Sequence, residues 1–151
     1  MSRFNDIRYH PPTNTLDVGA GCTFDEIYKE IRPLHINIVG GSAIEGIGVG
    51  GWLLGGGYSL KTNQFGLGID NISKFQIVLP DGGILDVAEG DLEHKDLFEA
   101  VKVCPVISSM FTVDETPLAQ GGGNNFGIVT RFTLKTHPQG QVYVSLFLIK
   151  C

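Results

Sequence analysis

The sequence predicts an α+β domain, a mixed or antiparallel sheet with flanking helices, on three observations. Two apolar segments, Phe75-Gln76-Ile77-Val78-Leu79 and Ile84-Leu85-Asp86-Val87, flank Pro80-Asp81-Gly82-Gly83, which is the chemistry of a β-hairpin. Residues 24–32 and 96–102 carry apolar side chains at helical spacing. The 151 residues are 42% hydrophobic and 18% charged, the balance of one globular domain with a core.

Taken in chain order, Thr15 to Ala20 reads as a short strand. Thr23 is the N-cap of a helix over Phe24 to Arg32, with Glu26 completing a capping box and Phe24, Ile27, Tyr28 and Ile31 on one face. Pro33 ends that helix, and His35 to Val39 alternates as a second short strand. The hairpin over Phe75 to Val87 follows. Asp96 to Lys102 forms a short helix with Leu97, Phe98 and Val101 inward, packed on the hairpin. Gly127 to Thr136 and Val142 to Ile149 are expected as further strands, the former in the hairpin's sheet.

A net charge of −5 argues against a nucleic-acid or anionic-membrane partner, because both require clustered Lys and Arg. No apolar run approaches the ~18 residues of a membrane span, and Met1 to Pro12 lack the apolar core of a signal peptide. The expected partner is a small-molecule substrate. Seven acids between Asp81 and Glu99 read as a solvated face. Cys22, Cys104 and Cys151 have no metal or redox spacing. His10, His35, His94 and His137 are scattered as surface or capping residues, so no metal site is expected.

Glycine is the compositional outlier, 21 residues, eleven of them between Gly40 and Gly68. Within Gly46-Ile47-Gly48-Val49-Gly50-Gly51-Trp52-Leu53-Leu54-Gly55-Gly56-Gly57-Tyr58-Ser59, two clusters bracket one apolar turn of helix. Successive N–H groups free of Cβ atoms, at a helix start, can cradle a pyrophosphate without lysine. The nearest basic residue is Lys61, which excludes a Walker loop. Gly46, Gly48 and Gly51 also satisfy GxGxxG, with Asp70 placed for a ribose, so a Rossmann nicotinamide site is an alternative. Against it, Ser42-Ala43-Ile44-Glu45 separates the loop from any apolar run, and no βαβ repeat follows. Glycines serving tight packing alone are a third reading.

Val18-Gly19-Ala20-Gly21, Gly48-Val49-Gly50-Gly51, Gly55-Gly56-Gly57-Tyr58-Ser59, Phe65-Gly66-Leu67-Gly68-Ile69-Asp70-Asn71, Asp96-Leu97-Phe98-Glu99-Ala100 and Gly121-Gly122-Gly123-Asn124-Asn125-Phe126-Gly127-Ile128-Val129-Thr130 occur in that order. From about Leu16 to about Pro138 the chain resembles the FAD-binding PCMH-type domain of the berberine-bridge-enzyme-like oxidases, in the vanillyl-alcohol-oxidase superfamily. The resemblance implies FAD lying along the glycine loops, with cofactor contacts from Gly48, Val49, Gly50, Gly51, Gly55, Gly56, Gly57, Tyr58 and Ser59. It further implies that Asp70, Asn71 and Ile72 pass beside the cofactor, and that Ile128 and Val129 lie near the adenine end. The implied activity is oxidation of a small alcohol, sugar or alkaloid-like substrate, with hydride passing to flavin. No catalytic acid or base is nominated; Asp70 in such a turn commonly caps a backbone group. Trp52 stands where many relatives carry a small or polar residue or a histidine.

Departures from the family pattern matter equally. The expected content is a partial FAD-binding domain over 1–151, its second lobe, with 139–151 the start of the substrate domain or a connecting strand. The family's first lobe, whose histidine loop grips the pyrophosphate and often bonds flavin, and most of the substrate domain have no counterpart here. Arg8-Tyr9-His10-Pro11-Pro12 matches a surface approach to the first shared strand, and the segment before Gly48 has no cysteine for a second flavin link. Residues 103–120 are expected to be translated intron, the alternative being a true surface insertion of a length that loops tolerate. Removing them joins Lys102 to Gly121, which restores the family motif and places a glycine where helices commonly close. Val103-Cys104 can be encoded GTATGT and Gln120 CAG, common intron ends.

Overall fold

A computed structural model describes residues 1, 3–42, 46–102 and 125–140. The expected insertion at 103–120 and the expected strand at 142–149 lie outside them, as do Cys104, Cys151 and 121–124 of the last glycine motif. The described strands are β1 (Ile7–His10), β2 (Thr15–Gly19), β3 (Ile36–Asn37), β4 (Ile72–Val78), β5 (Ile84–Ala88), β6 (Ile128–Lys135) and β7 (His137–Pro138). Five of them form one sheet in the order β1-β2-β6-β4-β5, every pair antiparallel; β3 and β7 pair separately. The class is the expected α+β, and the alternative of a mixed sheet is replaced by a wholly antiparallel one.

Alternation explains how the sheet acquires one apolar face. Leu16 and Val18 of β2, Phe75 and Ile77 of β4, Val87 of β5 and Phe132 and Leu134 of β6 are buried in one cluster. Their neighbours Asp17, Lys74, Gln76, Asp86, Arg131 and Thr133 form the polar face, where Asp17 accepts from Thr133 Oγ1 at 2.6 Å and lies 3.0 Å from His10 Nε2. β4 would break this parity, since Ile72 and Phe75 are three residues apart. A register shift between Ile72 and Lys74 absorbs the odd residue, and both side chains face the core. The hairpin closes as expected: Leu79 N–H donates to Gly83 O, Gly82 takes φ +86°, and Asp81 Oδ1 accepts from Gly83 N–H.

Helix α1 (Phe24–Ile31) carries the full capping box, Glu26 N–H to Thr23 Oγ1 and Thr23 N–H to Glu26 Oε2. Phe24, Ile27 and Ile31 are buried. The helix ends one residue before the expected Arg32, because Arg32–Leu34 tightens into a 3-10 turn containing Pro33. Beyond it His35 is left-handed, φ 53°, so the expected strand over His35 to Val39 shrinks to β3. Helix α4 (Lys95–Lys102) buries Phe98 and Val101, with Leu97 half-buried against the same core. The Phe98 ring stacks on Phe75 of the hairpin with centroids 5.6 Å apart.

The expected surface approach over Arg8 to Pro12 contains regular structure that the sequence did not disclose: Ile7–His10 is the edge strand, pairing residue for residue with Thr15–Val18. Pro11 and Pro12 sit in the turn between the two strands, where a missing N–H costs nothing.

The stacked pair carries a prediction. Phe98→Ala, at a site 2% exposed, should cost about 3–5 kcal/mol of unfolding free energy. Ile84→Ala, at 65% exposure, should change it by less than about 0.5 kcal/mol. Urea unfolding of the two variants measures the difference.

Candidate functional site

The first glycine cluster is a strand-like approach followed by a helix start. Gly46 takes φ +83° and donates its N–H to Asp25 Oδ2, while Thr23 and Gly48 form an antiparallel bridge. Helix α2 (Val49–Leu54) then begins, with Gly48 its extended N-cap. Val49 and Leu53 face the core, and Val49 N–H is taken by Cys22 O at 2.9 Å. By helix geometry, Gly50 and Gly51 N–H have no carbonyl within α2 to receive them. Gly50 is buried against the end of β2, where a Cβ would lie 3.0 Å from Ala20 O. Gly48 and Gly51 have ordinary backbone angles, and nothing lies within 4 Å of the Cβ either could carry.

The second cluster is built differently. Gly56 and Gly57 both have left-handed backbone, φ +100° and +73°, a run that only glycine adopts without strain. Their carbonyls accept from Ile69 and Gly68 N–H, at 3.1 and 2.8 Å. The Trp52 indole fills the space above: a Cβ on Gly57 would sit 2.5 Å from it and one on Gly68 2.4 Å. Trp52 also meets the Phe24 ring edge-on at 4.8 Å. Packing explains Gly57 and Gly68 fully, whereas nothing described in the chain calls for glycine at 48 and 51.

The remaining expected cofactor residues divide by burial. Gly55, Tyr58, Asp70 and Ile128 are exposed, Tyr58 at 70%, so its ring lies outside the core. Val49, Ile72 and Val129 lie within the core, and what they can offer a ligand is main chain. Ser59 is buried, its Oγ donating to Gly40 O at 2.8 Å. Asp70 Oδ2 accepts from Leu67 N–H at 2.9 Å, a local cap as read from the sequence. The start of β6 reaches the first cluster through Ala20, whose N–H donates to Thr130 O. The Rossmann alternative loses its frame here: α2 is six residues long, and no described strands run parallel.

Sequence reasoning missed His137. It is neither a free surface residue nor a cap: its ring stacks on Phe65 at 3.9 Å and 18°, and Nε2 lies 2.9 Å from Asn71 Oδ1. Asn71 is 4% exposed and spends its amide on Phe65 O and Leu67 O. Phe65, which ends the short helix α3 (Thr62–Phe65), and His137 line a cleft of 560 Å³ together with Lys61 and Pro138. An adjoining 360 Å³ cleft shares Lys61 and adds Tyr28 and Arg32. No spacing in the sequence joins 137 to 65 and 71; the antiparallel β4–β6 register, which sets Ile72 opposite Leu134, brings the residues after β6 back to the turn before β4, and β7 is paired there with β3.

Burial sets the protonation states here. It lowers His137, helped by Lys61 and Lys135, and lowers Lys61, whose Nζ donates to Ile38 O at 3.2 Å. Burial, with Asp25 nearby, pushes the Tyr28 phenol up to about 12, so it remains a donor, here to Gly41 O. Burial likewise raises the Cys22 thiol, which is therefore no nucleophile at neutral pH.

Comparison with known proteins adds identity to this geometry. A family model described as an FAD binding domain matches residues 1–88, more than half of the chain. FAD-dependent monooxygenase FUP4 of Fusarium proliferatum is 35% identical over 146 residues, 97% of this chain and 24% of that protein. FAD-dependent monooxygenase drtC of Aspergillus calidoustus is 32% identical over 143 residues, 95% of this chain and 23% of its own. Among solved structures, wild-type BBE-like 1 of Physcomitrella patens superposes with TM-score 0.73 at 28% identity, covering 91% of this chain and 26% of that one. Xylooligosaccharide oxidase of Myceliophthora thermophila C1 gives 0.72 at 27%, covering 91% and 25%. The chain thus spans about a quarter of the length of the proteins it matches. Among the described residues no helix is long and apolar enough to cross a membrane.

The depressed His137 has a consequence for stability. Its ordinary value is 6.5, so below that pH the unfolded chain takes up the proton first. The contribution is complete above 6.5 and is lost as pH falls through the lower folded value. His137→Phe, which keeps a ring on Phe65, should flatten the decline in unfolding free energy between about pH 8 and about pH 5. Urea unfolding of both proteins across that range measures the difference in slope.

Proposed function

The chain belongs to the family of FAD-binding domains, in its berberine-bridge-enzyme-like branch, and on that premise we propose that it serves an oxidoreductase acting on a small alcohol, sugar or alkaloid-like substrate. One observation carries the reading: Gly48 and Gly51 have room for side chains and ordinary backbone, yet carry none, beside the two N–H donors left open by helix geometry. A Cβ there would intrude only on something outside the described chain. Gly48, Val49, Gly50 and Gly51 would hold FAD through main-chain groups, with Gly55, Gly56, Tyr58 and Ser59 next along it and Gly57, packed under Trp52, shaping that segment from within. Asp70, Asn71 and Ile72 would pass beside the cofactor, and Ile128 and Val129 would lie near its adenine end. When bound, FAD supplies the hydride acceptor and the route to oxygen.

The protein's own part is to bind and orient. Neutral main-chain donors suit a pyrophosphate in a chain of net charge −5, because they add no side-chain cation that would have to be desolvated. A second reading is that these residues hold flavin without themselves turning over substrate, since the sequence offers no nominated catalytic acid or base among them. Under it, adding substrate leaves the flavin oxidised. Burial bears on affinity: a long cofactor needs enclosure on several sides, and the glycine segments offer one.

Flavin fluorescence tests the proposal. The chain should bind FAD weakly, with Kd about 10 μM or higher, and without a covalent bond. Gly51→Val should weaken binding about tenfold while leaving the thermal midpoint within a few degrees, about the effect of a surface substitution. Unchanged affinity in the variant, or a chain that stays yellow through gel filtration, contradicts it.

We also propose that residues 103–120 are translated intron within a larger reading frame, which continues into a substrate domain near 139–151. The support is the motif restored by joining Lys102 to Gly121. Sequencing of transcripts should find a spliced form lacking these codons; a gene with no GT at Val103, or transcripts that all retain the segment, refutes it.

A further inference from the structure

Asn71 dictates the chemical state of His137. Both hydrogens of its Nδ2 have carbonyl partners, Phe65 O at 3.0 Å and Leu67 O at 2.8 Å, so the amide orientation is determined and its oxygen faces the imidazole. An oxygen only accepts, and therefore Nε2 of His137 carries a hydrogen. In the neutral ring the lone pair then resides on Nδ1, which has no partner among the described residues. The stacked Phe65 ring, 3.9 Å away, fixes the imidazole plane. A half-buried, oriented histidine with one nitrogen committed and the other without a partner among the described residues, in the wall of a 560 Å³ cleft, is arranged to receive a hydrogen-bond donor.

We propose that this cleft is a ligand site in which His137 Nδ1 accepts the hydroxyl of an alcohol or phenol whose apolar body lies against Phe65 and Pro138. Lys61, lining the same cleft, donates one hydrogen to Ile38 O and retains two for an oxygen acceptor. A hydroxyl group satisfies both neighbours, since it donates to the imidazole and accepts from an ammonium. A carboxylate cannot donate to Nδ1, and an ether lacks the hydrogen. The charged groups that bear on the ring, Lys61 and Lys135, are both cationic, and Lys135 is paired with Glu89 at 2.7 Å. Together with burial they favour the neutral imidazole that the site requires. The inference concerns a ligand other than the cofactor and does not rest on the glycine loops; its probe is phenol, with no flavin present.

The test uses the whole chain labelled with 15N-histidine. Long-range proton–nitrogen correlation spectra near neutral pH should show His137 as the Nε2–H tautomer. Phenol should shift the Nδ1 resonance and bind about tenfold more tightly than anisole, its methyl ether, the discrimination of one hydrogen bond. In His137→Phe, whose ring still stacks on Phe65, the preference for phenol should vanish. An Nδ1–H tautomer, equal affinities for the two probes, no binding of phenol, or a preference retained in the folded variant overturns the proposal. Should the variant fail to fold, the tautomer and the affinity ratio in the unaltered chain decide it alone. FAD binding is measured separately, so failure here leaves the cofactor reading standing, and the reverse holds too.

Discussion

The Trp52 indole occupies the space in which side chains of residues 57 and 68 would lie, and the architecture of the glycine-rich half follows from that contact. A rigid ring fixed to α2 and pressed onto two glycines fixes the distance from the helix to the turn before β4. The ring's other neighbour, Phe24, packs on Gly40, where a Cβ would be 2.8 Å away, so α1 is locked by the same device. Aromatic faces against bare backbone thus run from α1 through α2 to Gly68. Close packing of this kind is intolerant of even one added methyl group. Its consequence for function is directional: with Val49, Gly50 and Leu53 turned inward, Gly48 and Gly51 are left facing outward.

Asn71 performs the corresponding task for the other half. It ends the 3-10 turn Ile69–Asn71, and its amide holds the Phe65–Leu67 loop by two carbonyls while its oxygen restrains His137. A polar group buried to this degree is stabilising only when fully satisfied. Asn71 therefore serves the chain's own loops first, through a side chain with no hydrogen-bonding group to spare. Two nodes, one apolar and one polar, hold the glycine segment and the cleft in register with the sheet.

What the sequence made legible was local. The capping box at Thr23 and Glu26, the Pro-Asp-Gly turn and the inward row of the helix from Asp96 each depend on residues within a few positions of one another. The edge strand Ile7–His10 escaped notice because its identity comes from pairing with Thr15–Val18, and the two prolines between them resemble a linker. His137 escaped for the same reason, its partners lying 66 and 72 positions away, by subtraction of the residue numbers. The glycines show the limit best. Gly51 and Gly57 are the same letter six positions apart, yet one faces open space and the other lies under an indole. Only coordinates separate a glycine required by packing from one that leaves room for a ligand.

That separation is the centre of the account, and amide chemical-shift mapping with FAD tests it most directly. The account predicts that added FAD shifts the Gly50 and Gly51 amides together with Gly48, while the Gly57 and Gly68 amides, covered by Trp52, move little. Shifts concentrated at Gly57, Gly68 and the Phe65–His137 cleft, with Gly48 to Gly51 unmoved, would contradict it.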